Sequence, residues 1–211
     1  MLENGCRVYL VRHGETLWNK DRRFQGHTDI ALSERGVEQA RALSRRLQEF
    51  KIAAVYASDL QRALQTAEIL AVPHELPVQA CPELRELHFG HWEGLTFNQM
   101  QEGYPAELKA WWKSPLDTAV PGSRETMRSM AERVNSFVSQ LVNRHLGSSI
   151  LVVCHGGPVR ALVAAALQMD LNQHWRLRQD NAALNILEYY PPDKAILTLF
   201  NDRSHLPQEL A

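Results

Sequence analysis

The chain has 211 residues, 45% of them hydrophobic, which suits a single large globular domain spanning 1–211. Its 23 lysines and arginines nearly cancel 24 aspartates and glutamates, so neither a nucleic acid nor a membrane surface is expected as the main partner. No apolar run reaches the length of a membrane span. The N-terminal MLENGCRVYLV has neither a basic start nor an apolar signal core, and the three cysteines show no CxxC spacing; a reduced, cytoplasmic protein is expected.

Residues 8–11 read as a buried strand that runs directly into Arg12, His13 and Gly14. Ser33 is an N-cap candidate for a helix carrying Val37, Ala40, Leu43, Leu47 and Phe50 at helical spacing. Residues 53–57 form a second strand ending at Ser58. A helix is expected to begin near Asp59, to cover 60–70 and to stop before Pro73. Residues 82–122 hold Trp92, Trp111 and Trp112, with Phe89, Phe97 and Tyr104, and are punctuated by glycine and proline. They read as a helical, cap-like insertion over the sheet, which Trp111 and Trp112 are expected to pack.

A long helix over 125–145 places Met127, Met130, Val134, Phe137 and Leu141 on one face. Residues 150–153 form a third strand, running into His155, Gly156 and Gly157, with Pro158 suited to the first turn of a following helix. Further strands are expected at 184–189 and 196–200. Strands alternating with helices predict an α/β fold, a three-layer α/β/α sandwich with a mostly parallel central sheet.

Open parallel sheets bind ligands beyond the carboxyl ends of their strands. His13 and His155 both sit just past such ends. Gly14, Gly156 and Gly157 are expected to let the backbone approach a ligand and to leave N–H groups pointing at it. Arg12 adds a planar cation suited to phosphate oxygens. Arg62 falls in the first turn of a helix, where a cation opposes the helix dipole unless an anionic ligand sits there. The pattern points to a phosphate site.

The blocks LVRHGETLWN, FQGHTDIALSERG, ASDLQRALQTA, LRELHFGHWEG and VVCHGG occur in this order and together resemble the histidine phosphatase, or phosphoglycerate mutase-like, superfamily. The resemblance covers nearly the whole chain. It implies that His13 takes the phosphoryl group on nitrogen, that Arg12, Arg62 and His155 bind phosphate oxygens, and that Asn19 adds a hydrogen bond. Glu86, of LRELHFG, is implied as the proton donor to the leaving oxygen. Gly156 is implied to assist through its N–H, and Gln25 and Gly26 to contact substrate. The chemistry agrees: neighbouring cations keep a histidine neutral at its attacking nitrogen, and an alkoxide leaves poorly without a proton. No cofactor and no metal are required, and His88 and His91 read as structural or substrate-facing. Arg22 and Arg23 read as a solvated loop, with guidance of an anionic substrate as the alternative, and Cys154 reads as a buried strand residue.

One block departs from the family pattern. Many phosphatase members carry Gly-Gly-Glu-Ser before the long helix, where this chain has PGSRETM, with Arg124 directly before Glu125. The family's mutases carry a longer insertion between the acid and the second histidine, and a longer tail. The shorter chain here favours hydrolysis of a small phosphomonoester. It looks like the bacterial α-ribazole phosphate phosphatases of cobalamin nucleotide-loop assembly, or their broad-specificity relatives. A phosphoglycerate mutase, or a phosphate-binding sensor or scaffold without turnover, are the alternatives. A homodimer is left open.

Overall fold

The first strand faces two separate cores. Val8 and Leu10 enter one apolar cluster, while Tyr9 and Val11 enter another. Such alternation, with both faces buried, marks a sheet covered on both sides. The computed structural model describes residues 4–192 and 194–210.

The strands are β1 (Cys6–Arg12), β2 (Ala54–Ala57), β3 (Val78–Ala80), β4 (Ser149–Cys154), β5 (Leu184–Tyr190) and β6 (Lys194–Asp202). They lie in the order β3-β2-β4-β1-β5-β6. Adjacent strands from β3 to β1 are parallel, and β5 runs antiparallel to both β1 and β6. The helices are α1 (Leu17–Lys20), α2 (Glu34–Leu47), α3 (Gln61–Ala71), α4 (Phe97–Gly103), α5 (Pro105–Lys113), α6 (Met127–Arg144) and α7 (Gly156–Ala166). Leu43 and Leu47 of α2 and Ala63, Ala67 and Leu70 of α3 cover one face of the sheet. Met130, Val134 and Leu141 of α6 and Val159 and Leu162 of α7 cover the other. The three-layer α/β/α arrangement with a mostly parallel sheet is as expected. No described helix is long and apolar enough to cross a membrane.

Local chemistry sets the helix starts. Ser33 caps α2 by accepting from the Gly36 N–H, and Thr126 opens α6 in a reciprocal pairing with Ser129. The start of α3 differs from expectation. The helix begins at Gln61, and Asp59 instead pairs with Arg85. The Gln61 N–H is capped from afar by Asp29, at 2.7 Å, so part of the anionic charge at this terminus is the protein's own. As expected, α3 ends at Ala71, before Pro73. The proline sits inside a 3-10 turn, Val72–His74, that continues directly from α3, at a position whose missing N–H costs little. The edge strand β3 was not expected, because three largely exposed residues carry no apolar alternation.

Residues 82–122 build α4 and α5 around their own small cluster of Trp92, Met100, Leu108 and Val120. Trp111 packs edge-to-face on Trp92, with centroids 5.9 Å apart. Trp112 departs from expectation: it is largely exposed and stacks on Phe97 at the surface.

Candidate active site

The sheet register brings the two histidines together. Arg12 of β1 lies opposite Cys154 of β4, so His13 and His155 leave the sheet side by side. The His13 N–H donates to the Cys154 carbonyl at 3.0 Å, and the two rings meet edge-on with centroids 5.1 Å apart. One strand further over, the Ser58 N–H donates to the Val153 carbonyl, and its hydroxyl lies 2.8 Å from His155 Nε2. Three neighbouring strand ends therefore present Ser58, His155 and His13 in a row.

His13 is buried, and its Nδ1 lies 2.7 Å from the Gly14 carbonyl oxygen. A carbonyl only accepts, so Nδ1 carries the hydrogen and the lone pair sits on Nε2. Burial, reinforced by Arg62 and then Arg12, holds the His13 pKa well below 6.5. Burial, with Arg62, His13 and Arg12, does the same for His155. These surroundings favour the neutral form of both imidazoles.

The arginines are held by carbonyl oxygens. Arg12 Nη1 donates to Gln179 O at 2.5 Å. Arg62, fully buried, donates from Nη1 to Thr28 O at 2.9 Å and from Nη2 to Gly26 O at 2.7 Å. Among the described residues no carboxylate lies within ion-pair distance of either guanidinium, and burial pulls Arg62 down to about 10. The Nε of each arginine and Nδ1 of His155 are buried without a hydrogen-bond partner. Buried unpaired cations are costly unless something answers their charge.

Glu86 reaches the same place from an irregular loop. Its Oε2 accepts from the Gly157 N–H at the start of α7, at 3.1 Å, and its Oε1 from the Leu87 N–H, at 2.9 Å. A Cβ at 157 would stand 2.2 Å from Glu86 Oε1, so a larger residue there would displace the carboxylate. Asn19 Oδ1 accepts from the Thr16 N–H and from Asn181 Nδ2, which leaves its amide donors for the cavity it lines. Gln25 bonds Thr16 Oγ1, and Gly26 adopts φ +53°, a left-handed conformation suited to glycine.

A cavity of about 250 Å³ gathers Arg12, His13, Asn19, Gln25, Gly26, Arg62, Glu86 and Gly156, with His155 behind His13. Every site residue expected from the sequence is thus placed together. A larger open hollow, about 1070 Å³, lies at the opposite ends of the strands. There Arg7 is already paired with Glu188 at 2.6 Å, so it offers no unanswered charge.

Some expectations are corrected. The Gly14 N–H does not face a ligand: it donates to Thr66 Oγ1, and its Cα packs against the backbone of Gly36. The Gly157 N–H is taken by Glu86. Arg23 is not a solvated loop residue. It lines the cavity, donates to Gly94 O at 2.7 Å and bridges to Thr96. His88 Nδ1 lies 3.2 Å from Ser123 Oγ, and the His91 ring packs against Gly122. Among the described residues no group of three or more His, Cys, Asp or Glu could hold a metal ion. Cys154 is buried, and burial pushes its thiol pKa up.

The sequence also hid residues that act on the site. Thr66 ties Gly14 to Arg62, Gln179 holds Arg12, and Asn181 donates to the carbonyls of His13 and Gly14. Trp111, Arg160 and His174 join the cavity wall. Only Ser58, at a strand end, carried a signal that could have identified it.

The model of the histidine phosphatase superfamily (branch 1) matches residues 8–202. The chain is 33% identical to phosphoserine phosphatase 1 of Hydrogenobacter thermophilus over 200 residues, 95% of this chain and 94% of that protein. It is 34% identical to the adenosylcobalamin/alpha-ribazole phosphatase of Escherichia coli over 183 residues, covering 86% and 89% of the two chains. The solved structure of Bacillus stearothermophilus YhfR aligns with a TM-score of 0.86 at 33% identity, over 95% of this chain and 98% of that one. With a match across nearly its whole length, the chain belongs to branch 1 of the histidine phosphatase superfamily and is a phosphoric monoester hydrolase.

Proposed function

We propose that this phosphatase hydrolyses small phosphomonoesters through a phosphohistidine at Nε2 of His13. The observation that carries the reading is the set of buried, unpartnered nitrogens, Arg12 Nε, Arg62 Nε and His155 Nδ1, beside a neutral imidazole with a free Nε2. In the first step Nε2 attacks phosphorus, the ester P–O bond breaks, and Glu86 protonates the departing oxygen. The ring becomes cationic, which strengthens its Nδ1–H bond to Gly14 O. Arg12 and Arg62 answer the charge on the equatorial oxygens. Water then attacks phosphorus, Glu86 takes its proton, the P–N bond breaks, and phosphate leaves.

The depressed pKa of His13 fixes a pH signature. Attack requires the neutral ring, which persists at every pH above the folded-state pKa. Because that pKa lies well below 6.5, the attacking fraction stays full as pH falls through 6.5. The acid limb of single-turnover phosphorylation, corrected for substrate ionisation, should lie below 6.5. A midpoint at or above that value contradicts a buried, arginine-flanked nucleophile.

For the leaving group, Phe24, Phe89, Trp111 and Met127 supply an apolar and aromatic wall. That wall suits a flat heteroaromatic nucleoside, and with the Escherichia coli relative it supports α-ribazole phosphate as substrate, hence a place in cobalamin synthesis. Arg160 favours a second reading. Its Nε is fixed on Leu177 O at 2.8 Å, the residue lines the cavity, and no carboxylate among the described residues pairs with it. It would suit an acidic leaving group such as serine.

A panel of α-ribazole phosphate, phosphoserine and phosphoglycerate, with phosphate release and isomer formation both measured, tests the proposal. Phosphate release should far exceed isomer formation; the reverse would overturn the hydrolytic reading. If the acidic reading holds, Arg160→Gln should lower kcat/KM for phosphoserine about tenfold and leave α-ribazole phosphate nearly unchanged. A flat profile across the panel would mark a broad-specificity phosphatase.

A further inference from the structure

Glu86 stands on a stretch without helix or strand. Residues 85–89 are irregular, between the 3-10 turns Pro82–Leu84 and Gly90–Trp92. A general acid must nonetheless lie within hydrogen-bond reach of the departing oxygen. Something other than secondary structure must therefore hold this loop.

Arg133, on the second turn of α6, reaches across to it. Nη1 donates to Glu83 O at 2.6 Å and to Arg85 O at 3.1 Å, and Nη2 lies 3.5 Å from Glu86 O. The other edge of the same guanidinium grips Glu125, with Nε and Nη2 at 2.9 and 2.6 Å from Oε1. The second oxygen of Glu125 accepts from the His88 N–H at 2.9 Å. On the far side, His27 Nε2 lies 2.9 Å from Glu86 O, and a carbonyl acceptor means that this nitrogen carries the hydrogen. Backbone groups of residues 83, 85, 86 and 88 are thus tied to one cluster, while the Glu86 carboxyl itself stays in the cavity wall.

We propose that Arg133, backed by Glu125 and His27, is the positioning assembly for the proton donor Glu86. The inference rests on the reading of Glu86 as general acid. Arg133 touches no reacting atom; it acts by fixing where Glu86 can deliver its proton. Arginine is needed because one planar cation must bond carbonyls on one edge and a carboxylate on the other, which a lysine ammonium cannot do in the same geometry. The proposal also accounts for Glu125 in PGSRETM, whose carboxylate faces the loop.

Single-turnover phosphorylation of the full chain by an alkyl phosphate (glycerol phosphate) and by nitrophenyl phosphate tests this. A nitrophenolate leaves without a proton, so a misplaced acid hurts only the alkyl substrate. Arg133→Lys should slow the alkyl reaction about tenfold to a hundredfold, with the nitrophenyl rate within about threefold of the parent. Glu125→Gln should shift the same ratio in the same direction, and serves if Arg133→Lys does not fold. In a Glu86→Gln background Arg133→Lys should cost the alkyl reaction nothing further. Equal losses for both substrates, no loss for either, or full additivity with Glu86→Gln would overturn the positioning role. A Glu86→Gln single variant without leaving-group bias would instead remove the acid assignment itself, and the inference with it.

Discussion

Replacing His13 by alanine is expected to abolish turnover and leave the fold in place. His155 cannot stand in for His13: its Nε2 is engaged by Ser58 and its Nδ1 is buried. Loss of a nucleophile that acts as one unit with its neighbours should cost on the order of 10⁴-fold or more. The apolar core lies behind the site, in Val8, Leu10 and Val11, and Asn181 grips the backbone carbonyl of residue 13 rather than its ring. The variant should therefore unfold cooperatively near the parent temperature. Brief exposure to a radiolabelled phosphoryl donor should give an acid-labile label in the parent and none in the variant. Persistent labelling, or activity within about tenfold of the parent, would falsify the assignment of His13.

Glu86→Gln should separate substrates by their leaving groups. General acid assistance is typically worth about 10²–10⁴-fold, and the full value applies only where the leaving oxygen needs a proton. An alkyl phosphate should therefore lose about that factor in phosphorylation rate, and nitrophenyl phosphate far less. The structure adds a small common loss. Both carboxylate oxygens accept backbone N–H groups, from Leu87 and from Gly157, and an amide can satisfy only one of them. Single-turnover rates are the measurement, since steady-state rates can report dephosphorylation of His13. Equal losses for the two substrates would move the acid role to another group.

The strands and the long helices are legible because apolar runs and helical spacing are local properties of the chain. The histidines are legible because each follows such a strand directly. Their contact is not, because it depends on Arg12 lying opposite Cys154, and register between residues so far apart leaves no local mark. Gln179, Asn181 and His174 come from a stretch with little regular structure, where no period identifies a face. Arg23 reads as an ordinary surface cation until a bridge to Thr96 folds it over the cavity. From the chain alone Gly14 reads as a ligand contact, yet its neighbour is Gly36, a helix-to-loop contact made only in three dimensions.

The two halves of the cavity are anchored in different parts of the molecule. Arg12, His13 and His155 hang from strand ends whose side chains belong to the two large clusters flanking the sheet. Trp111 and Phe24 pack on the small cluster around Trp92 and Met100, while Phe89 packs against that cluster and the main core alike. Substitutions within that cluster can reshape the wall facing the alcohol without disturbing the supports of the phosphate cradle. Drift in this segment would change which ester is admitted while the hydrolytic step stayed the same. Such an architecture would let one reaction diversify across many alcohols during evolution, with new selectivity arising from repacking a few aromatic side chains.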